Sequence, residues 1–139
     1  MIDVSGEEES RRILHEQQCG RLGCCLDDEP YVVPVNYLFD GECIYIHSLL
    51  GHKINTLRAN PRACLQVDAV KDAYNWQSVI AYGRYEELTD EVERERTLAR
   101  LFHHLPHLTA VESQMIKGLQ QTIVFRLRVT RVTGVYEKW

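Results

Sequence analysis

Residues 46–53 read IHSLLGHK and gather side chains that suit a phosphate group. An apolar strand pattern ends at Ser48, and a helix pattern begins near Gly51. Free N–H groups at the start of a helix attract anions, and the helix dipole adds to that attraction. Ser48 offers a hydroxyl, His52 a titratable donor and Lys53 a positive charge. Because short basic clusters are common near helix starts, the pattern alone favours a solvated surface over a phosphate site.

Three histidines form a second group of residues with chemical potential. His103, His104 and His107 follow the pattern H-H-x-x-H, and such a group of imidazoles is able to bind a metal ion. No Asp, Glu or Cys lies near them at ligand spacing, and Pro106 interrupts the helix that would align them. We therefore predict that the chain has no metal site.

The cysteines are the third group. The chain has five of them, Cys19, Cys24, Cys25, Cys43 and Cys64, and an odd number without a secretory signal indicates reduced thiols. Adjacent residues of a strand point to opposite faces of a sheet, so Cys24 and Cys25 are not expected to act as a redox pair. Cys43 and Cys64 lie in apolar strand patterns, where Cys behaves as a small hydrophobic residue.

Size and composition indicate one globular domain spanning residues 1–139. The chain is 45% hydrophobic and 26% charged, and its net charge is −4, which argues against a nucleic-acid binder that acts through a general basic field. The N-terminus is acidic and no apolar run approaches the length of a membrane span, so we predict a cytoplasmic protein. Arg126, Arg128 and Arg131 are interpreted as a solvated face of the last strand.

Alternating and β-branched patterns predict a mainly β chain with peripheral helices. Ser5 and Glu8 have the spacing of a capping box and predict the start of the first helix. The predicted strands are residues 19–26, 31–39, 42–48, 62–70, 76–88 and 122–136, and the predicted helices are residues 5–18, 51–59, 89–104 and 110–119. Hairpin connections imply an antiparallel sheet, and a sheet of this size tends to close into a barrel.

Four local signals refine this prediction. Asp40–Gly41 between two strand patterns predicts a hairpin. Pro34 places its strand at an edge, a bulge or a kink, because proline cannot donate to the ladder. Gly83 predicts a bulge in the long strand, and a phase shift toward Val132 predicts another in the last strand.

The order of several short motifs resembles a known family. From residue 30 to about residue 70 the chain contains PVNY, an Asp-Gly hairpin, HS-x-x-GHK and NPRA, and WQSV follows at residues 76–79 with Gly83 downstream. This pattern is similar to that of the FMN-binding split-barrel proteins of the pyridoxamine 5'-phosphate oxidase-like branch. Within that branch it most resembles the nitroimidazole-resistance-type proteins. The resemblance covers about half of the chain.

The resemblance implies a six-stranded antiparallel split β-barrel with flanking helices that binds FMN. It implies that Val35, Asn36 and Tyr37 lie along the isoalloxazine ring, that Ser48, His52 and Lys53 bind the phosphate and ribityl chain, and that the strand Trp76, Gln77, Ser78, Val79 contributes to the flavin site. His47 would lie beside the ring, where it is a candidate proton donor.

The resemblance also implies a homodimer with each flavin at the subunit interface. The function that follows is an FMN-dependent oxidoreductase, which passes electrons from a reductant such as NAD(P)H to a small acceptor, with a nitroaromatic compound as one candidate. Three alternatives stay open: a non-enzymatic flavin binder or redox sensor, a split barrel that binds haem or a deazaflavin, and a structural dimer without a cofactor. If the dimer forms and binds flavin, an active-site role near the partner's flavin is expected for His103, His104 and His107 rather than a metal site.

Two features depart from the family pattern. The phosphate turn of the oxidases commonly reads Ser-Arg-Lys, whereas this chain has Gly51, His52 and Lys53. A titratable imidazole replaces a strong cation, so FMN binding is expected to weaken as the pH rises. The chain ends GVYEKW without an Arg/His cluster that would bind a substrate phosphate, so vitamin B6 oxidation is not expected.

Overall fold

A computed structural model describes residues 1–104 and 122–139 of the chain. It contains β1 (Ile2–Val4), α1 (Glu7–Glu16), β2 (Cys19–Leu26), β3 (Glu29–Asn36), β4 (Leu38–Phe39), β5 (Cys43–Ser48), α2 (His52–Ala59), β6 (Arg62–Asp72), β7 (Asn75–Glu87), α3 (Glu91–His104) and β8 (Ile123–Glu137). The predicted helix 110–119, Pro106 and His107 lie outside the described residues. None of the described helices is both long and apolar enough to cross a membrane.

The strands form one antiparallel sheet in the order β3-β2-β6-β7-β8-β5-β4, and β1 pairs with β8. The two ends of this order, β3 and β4, are consecutive in the chain and separated by Tyr37 alone. The sheet therefore curls into a barrel, which removes most of its exposed edges. The six predicted strands are confirmed when β3 and β4 are counted as two halves of one. β1 is an additional short strand, and all three of its residues are exposed, so no burial pattern revealed it.

The barrel interior is the main core. Inward positions of the strands pack there with Ile13 and Leu14 of α1 and Ile54 and Leu57 of α2. A second apolar cluster lies outside the barrel, where Leu98 and other residues of α3 cover β5 and β8. The two clusters use opposite faces of β5, which is therefore buried on both sides and reads as a continuous apolar run.

Several predicted turns and irregularities are confirmed. Gly41 has a φ of 98°, a left-handed conformation that glycine adopts readily, and Asp40 Oδ1 accepts hydrogen bonds from the following amides. Pro34 lies on β3, which forms one end of the sheet order. The register of β7 and β8 shifts at Gly83, and Thr130 is the extra residue on β8. Both predicted bulges are therefore one irregularity shared by two paired strands.

Two local predictions are wrong. Helix α1 begins after Gly6 without a side-chain cap, because β1 pairing directs the Ser5 amide to the Gly134 carbonyl at 2.9 Å. Arg126 is not solvated: its side chain is 21% exposed and bridges Glu86 of β7 to Glu93 of α3 at 3.0 and 2.8 Å. That bridge ties α3 to the barrel, and partial burial strengthens it relative to an ordinary surface ion pair.

The five cysteines are free thiols. Cys24 is buried inside the barrel while Cys25 is half-buried on the opposite face, as the strand geometry predicts. Burial raises the pKa of the Cys24 and Cys64 thiols, which disfavours the reactive thiolate.

Candidate functional site

The barrel has an opening between β3 and β5. β4 pairs with β5 through Leu38 opposite Tyr45, and continuing that register would set Asn36 opposite His47. Within the described residues the ladder does not continue, and β3 pairs with β2 alone. The end of β3 stays beside β2 and apart from β5 because the Tyr37 amide donates to the carbonyl of Gln18, the residue before β2, at 3.0 Å. We call the space between the facing edges of β3 and β5 the seam.

The seam closes again at its other end. The same register count sets Tyr31, near the start of β3, opposite His52, the first residue of α2. Their rings are in contact, with centroids 4.6 Å apart and an edge-on orientation. The seam therefore runs along β3 from Tyr31 to Asn36, a length of roughly 17 Å at the usual rise per strand residue. It joins the predicted ring-binding segment to the predicted phosphate turn.

The start of α2 borders the closed end of the seam. Gly51 precedes the helix in an extended conformation, and no side chain caps the helix N-terminus. A Cβ placed on Gly51 would meet no atom within 4 Å, so the approach to the first N–H groups is open. These groups carry the positive end of the helix dipole.

Lys53 lies half-buried in the first turn of α2. Burial lowers the pKa of its ammonium group, and the nearby Cys24 opposes that shift. Within residues 1–104 and 122–139 no carboxylate forms an ion pair with Lys53. A partly desolvated cation without a protein counter-ion costs stability and fits a site that an anion completes.

His47 and Ser48 point to opposite sides of β5. Ser48 is buried, and its hydroxyl donates to the carbonyl of Leu49 at 2.8 Å. His47 faces α3, where its ring lies 5.2 Å from the ring of Phe102. Ser48 thus belongs to the barrel side of the predicted phosphate turn, whereas His47 belongs to the interface between β5 and α3.

Tyr37 and Val35 are buried, while Asn36 is exposed. The Tyr37 hydroxyl donates to the carbonyl of Leu14 at 2.6 Å, and burial raises the pKa of the phenol. The Tyr37 side chain is therefore committed to the core. A ligand in the seam would meet this segment through its backbone and through Asn36.

The predicted segment at residues 76–79 lies elsewhere in the same chain. It belongs to β7, which β2 and β6 separate from β3, a distance of roughly 14 Å around the barrel. Trp76 Nε1 donates to Glu137 at 3.1 Å, and Gln77 lies 3.4 Å from Glu9 of α1. Within one subunit these side chains do not meet the seam.

The other two residues of this segment have partners in the barrel. Ser78 accepts a hydrogen bond of 3.0 Å from Gln66 of β6, and Val79 is fully buried in the core. A cleft of about 670 Å³ lies beside the segment, lined by Val70, Trp76 and Tyr136 among others.

The outer face of the sheet carries a cleft that no sequence pattern predicted. Its volume is about 400 Å³, and Tyr31, Arg62, Cys64 and Tyr82 line it. Tyr31 therefore borders this cleft and, through its ring, contacts His52 at the end of the seam. The alternation of residues along β6 and β7 indicates that Arg62 and Tyr82 both lie on the outer face. Only the register of the two strands shows that they are neighbours.

Comparisons with known proteins agree with this architecture. The family model described as pyridoxamine 5'-phosphate oxidase matches residues 6–135. An uncharacterized protein of Rhizobium meliloti (strain 1021) is 38% identical over 142 aligned positions, which cover 96% of this chain and 93% of the relative.

Two solved structures show the same fold. A FAD-binding protein from Mesorhizobium loti is 30% identical with a TM-score of 0.80, covering 100% of this chain and 98% of its own. A candidate 5-nitroimidazole antibiotic resistance protein from Bacteroides thetaiotaomicron VPI-5482 is 21% identical with a TM-score of 0.78, covering 98% and 88%. From the matched family model, the similarity to the Rhizobium relative and the split barrel, we conclude that the chain belongs to the pyridoxamine 5'-phosphate oxidase family.

Proposed function

We propose that this protein is a flavin-binding oxidoreductase that holds FMN, free or as the FMN half of FAD, in the seam between β3 and β5. The observation that carries the proposal is Lys53, a half-buried cation at an uncapped helix start with no carboxylate partner among the described residues. Family membership and the similarity to the FAD-binding Mesorhizobium protein support a flavin as the ligand.

The proposal assigns the flavin phosphate to the start of α2. The first N–H groups of the helix, the Lys53 ammonium and the His52 imidazole would donate to it. The Ser48 hydroxyl would join them by turning away from the Leu49 carbonyl that it binds at 2.8 Å. A phosphate dianion would supply the counter-ion that Lys53 lacks within the described residues.

The isoalloxazine ring would then extend along β3. The backbone groups of Asn36 face the seam edge of β3 and suit the polar edge of the ring. Those of Val35 and Tyr37 face β2, because the Tyr37 amide donates to Gln18 and the direction of the backbone groups alternates along a strand. His47 remains our candidate proton donor, although its ring packs against Phe102, so a movement of α3 would be required for it to reach the flavin.

We further propose a homodimer. Residues 76–79 are about 14 Å from the seam around the barrel, and a second subunit is the simplest means of bringing Trp76 and Gln77 to a flavin. Exposed apolar side chains near the seam support this, since Val32 is 66% exposed and Leu50 is 61% exposed.

The bound flavin would supply the electron-transfer chemistry, and the protein would bind it, orient it and tune its surroundings. We propose a pyridine nucleotide as the electron donor and a small electron-poor molecule as the acceptor. A nitroaromatic compound is the first acceptor to test, and we propose that the reaction takes place in the cytoplasm.

The test is a titration of the apoprotein with FMN, followed by flavin fluorescence and absorbance. Lys53→Met removes the charge but keeps the apolar stem, and Lys53→Arg is the matched control that keeps the charge. We expect saturable binding at one FMN per chain, weakened by about tenfold or more in Lys53→Met and much less in Lys53→Arg.

Reductants and acceptors are then screened with the loaded protein. An absence of FMN and FAD binding in the wild type would overturn the cofactor assignment. Tight flavin binding without turnover by either pyridine nucleotide would overturn the oxidoreductase assignment and leave a flavin carrier.

A further inference from the structure

The outer face of the sheet carries arginines in directly opposed positions. Arg62 of β6 pairs with Arg84 of β7, which in turn pairs with Arg128 of β8. Like charges directly opposite one another destabilise an antiparallel pair. Arg128 is neutralised by Glu86, with 3.0 Å between its Nε and the carboxylate. Within the part of the chain that the structure describes, the side chains of Arg62 and Arg84 form no ion pair or hydrogen bond. This pair is a concentration of positive charge that no described residue neutralises.

The arginine pair lies on a continuous depression that leads from the seam. The cleft of about 400 Å³ begins at Tyr31 and reaches Arg62 and Tyr82. A second cleft of about 330 Å³ shares Arg62 and Tyr82 and extends to Arg84. Arg62 lies on β6, two strands from β3, which is a distance of roughly 10 Å. An extended arginine side chain covers most of that distance.

An aromatic ring lines the same clefts as the arginines. Tyr82 is half-buried on the outer face, and the Arg131 guanidinium lies 4.2 Å from its ring centroid. A half-exposed tyrosine beside unneutralised arginines combines a stacking surface for a nucleobase with donors for a phosphate. Neither chemistry is required by the packing of the barrel, whose core uses the opposite face of β6 and β7.

We infer that Arg62, Arg84 and Tyr82 bind the adenylate group of a dinucleotide, with the arginines on its phosphate and the tyrosine beside its base. The inference rests on the proposed function for the position of the first phosphate at α2. The adenylate group comes either from FAD, whose FMN half would occupy the seam, or from the nicotinamide dinucleotide that reduces the flavin.

The direct test uses ADP as the probe in titration calorimetry. We compare the wild type with the double variant Arg62→Gln/Arg84→Gln and with Arg96→Gln. Arg96 is an exposed residue of α3, which packs on β5 and β8, so its variant controls for the loss of general positive charge. We expect ADP to bind the wild type and Arg96→Gln alike, and the double variant at least about tenfold more weakly. If ADP fails to bind the wild type, or binds all three proteins equally, the inference is overturned.

Two further measurements identify the source of the adenylate. If it is FAD, the wild type binds FAD more tightly than FMN, and the double variant removes the difference without changing the FMN affinity. If it is the reductant, FAD and FMN bind equally, and the double variant raises KM for NADPH or NADH on the FMN-loaded protein while kcat is unchanged. If the wild type does not bind FMN, the proposed function is overturned. ADP binding that depends on Arg62 and Arg84 would still show the adenylate site.

Discussion

The hydroxyl of Tyr37 donates to the carbonyl of Leu14 across 2.6 Å, and this bond ties the break between β3 and β4 to helix α1. Tyr37 is fully buried and is the residue at which the barrel wall opens into the seam. If this bond is removed, the Leu14 carbonyl stays buried without a donor and its desolvation is no longer compensated. The loss of stability therefore exceeds the net contribution of a typical hydrogen bond. The bond between Tyr37 and Leu14 therefore fixes the position of the backbone beside the seam, although the Tyr37 side chain points into the core.

This arrangement predicts the effect of Tyr37→Phe. The variant keeps the ring in the core and removes only the hydroxyl, so we expect the free energy of unfolding to fall by about 1 to 2 kcal/mol. Flavin affinity should change little, because the Tyr37 hydroxyl and amide both bond within the protein, to Leu14 and Gln18, and not toward the seam. Urea denaturation and a flavin titration measure the two quantities. A large loss of flavin affinity with unchanged stability would instead place the Tyr37 hydroxyl in the binding site.

The pH dependence of flavin binding follows from Lys53. Burial lowers the pKa of Lys53, so its charge is lost at a lower pH than that of an exposed lysine. Since the phosphate binds the charged ammonium, FMN affinity is full below that pKa and falls as the pH rises through it.

Flavin titrations from neutral to alkaline pH test this dependence. In Lys53→Met we expect the alkaline decrease to disappear. An affinity that does not change across this range in the wild type would remove the Lys53 side chain from the phosphate site.

Much of the fold was predictable because its signals are local. Alternating apolar residues defined the strands, and the Asp40–Gly41 pair defined a hairpin that the structure confirms. Gly83 and the phase shift toward Val132 predicted bulges, because a change of alternation within a strand requires an unpaired residue. The capping box at Ser5 failed because a distant strand, β8, binds the Ser5 amide.

The site was less predictable because it depends on pairings between distant segments. The seam exists because β3 stays with β2 instead of continuing the β4–β5 ladder, and no local pattern records that choice. The opposed positions of Arg62 and Arg84 likewise follow from the register of β6 and β7. The predicted segment around Trp76 was found by resemblance alone, and its distance from the seam became visible only in the barrel.

The bulge at Gly83 predicts a severe effect of a single methyl group. A Cβ at this position would lie 2.7 Å from the carbonyl oxygen of Arg128, a backbone atom that cannot move away without breaking the β7–β8 ladder. We expect Gly83→Ala to lower the free energy of unfolding by about 1 to 3 kcal/mol. Gly6→Ala is the control, because a Cβ there meets no atom within 4 Å and the change affects only a helix cap. Equal stability of the two variants in urea denaturation would contradict this account of the bulge.

Removing one arginine of the Arg62–Arg84 pair is expected to weaken nucleotide binding and to stabilise the fold. Replacing Arg84 by Thr removes a like charge opposite Arg62 and places a β-branched residue in a strand. We therefore expect the free energy of unfolding of the apoprotein to rise by about 0.2 to 1 kcal/mol at low salt, and less at high salt. Thermal unfolding at two ionic strengths measures the effect. Destabilisation by Arg84→Thr at both salt concentrations would mean that the arginine serves the fold.

Subunit complementation tests whether a partner completes the flavin site. Lys53 and Trp76 lie on different elements. Within one chain β2 and β6 separate the strand of Trp76 from β3, and Trp76 pairs with Glu137, far along β8 from the residues 123–128 that pair with β5. If the flavin lies between two subunits, Lys53→Met and Trp76→Ala homodimers are each defective at both sites. A mixed dimer, formed by refolding the two variants together, would carry both defects in one site and none in the other. We therefore expect mixed dimers to recover one high-affinity FMN site per dimer, measured by titration after separation by differential tags.

Trp76→Ala also removes the hydrogen bond to Glu137, so it requires a companion that keeps the fold. Gln77→Ala serves this purpose, because its side chain makes only a long, part-buried hydrogen bond of 3.4 Å to Glu9 among the described residues. The same recovery is expected when Gln77→Ala is mixed with Lys53→Met. If both mixtures bind no more flavin than the separate variants, each site is completed within one chain. In that case residues 76–79 act on the flavin only through the stability of the barrel.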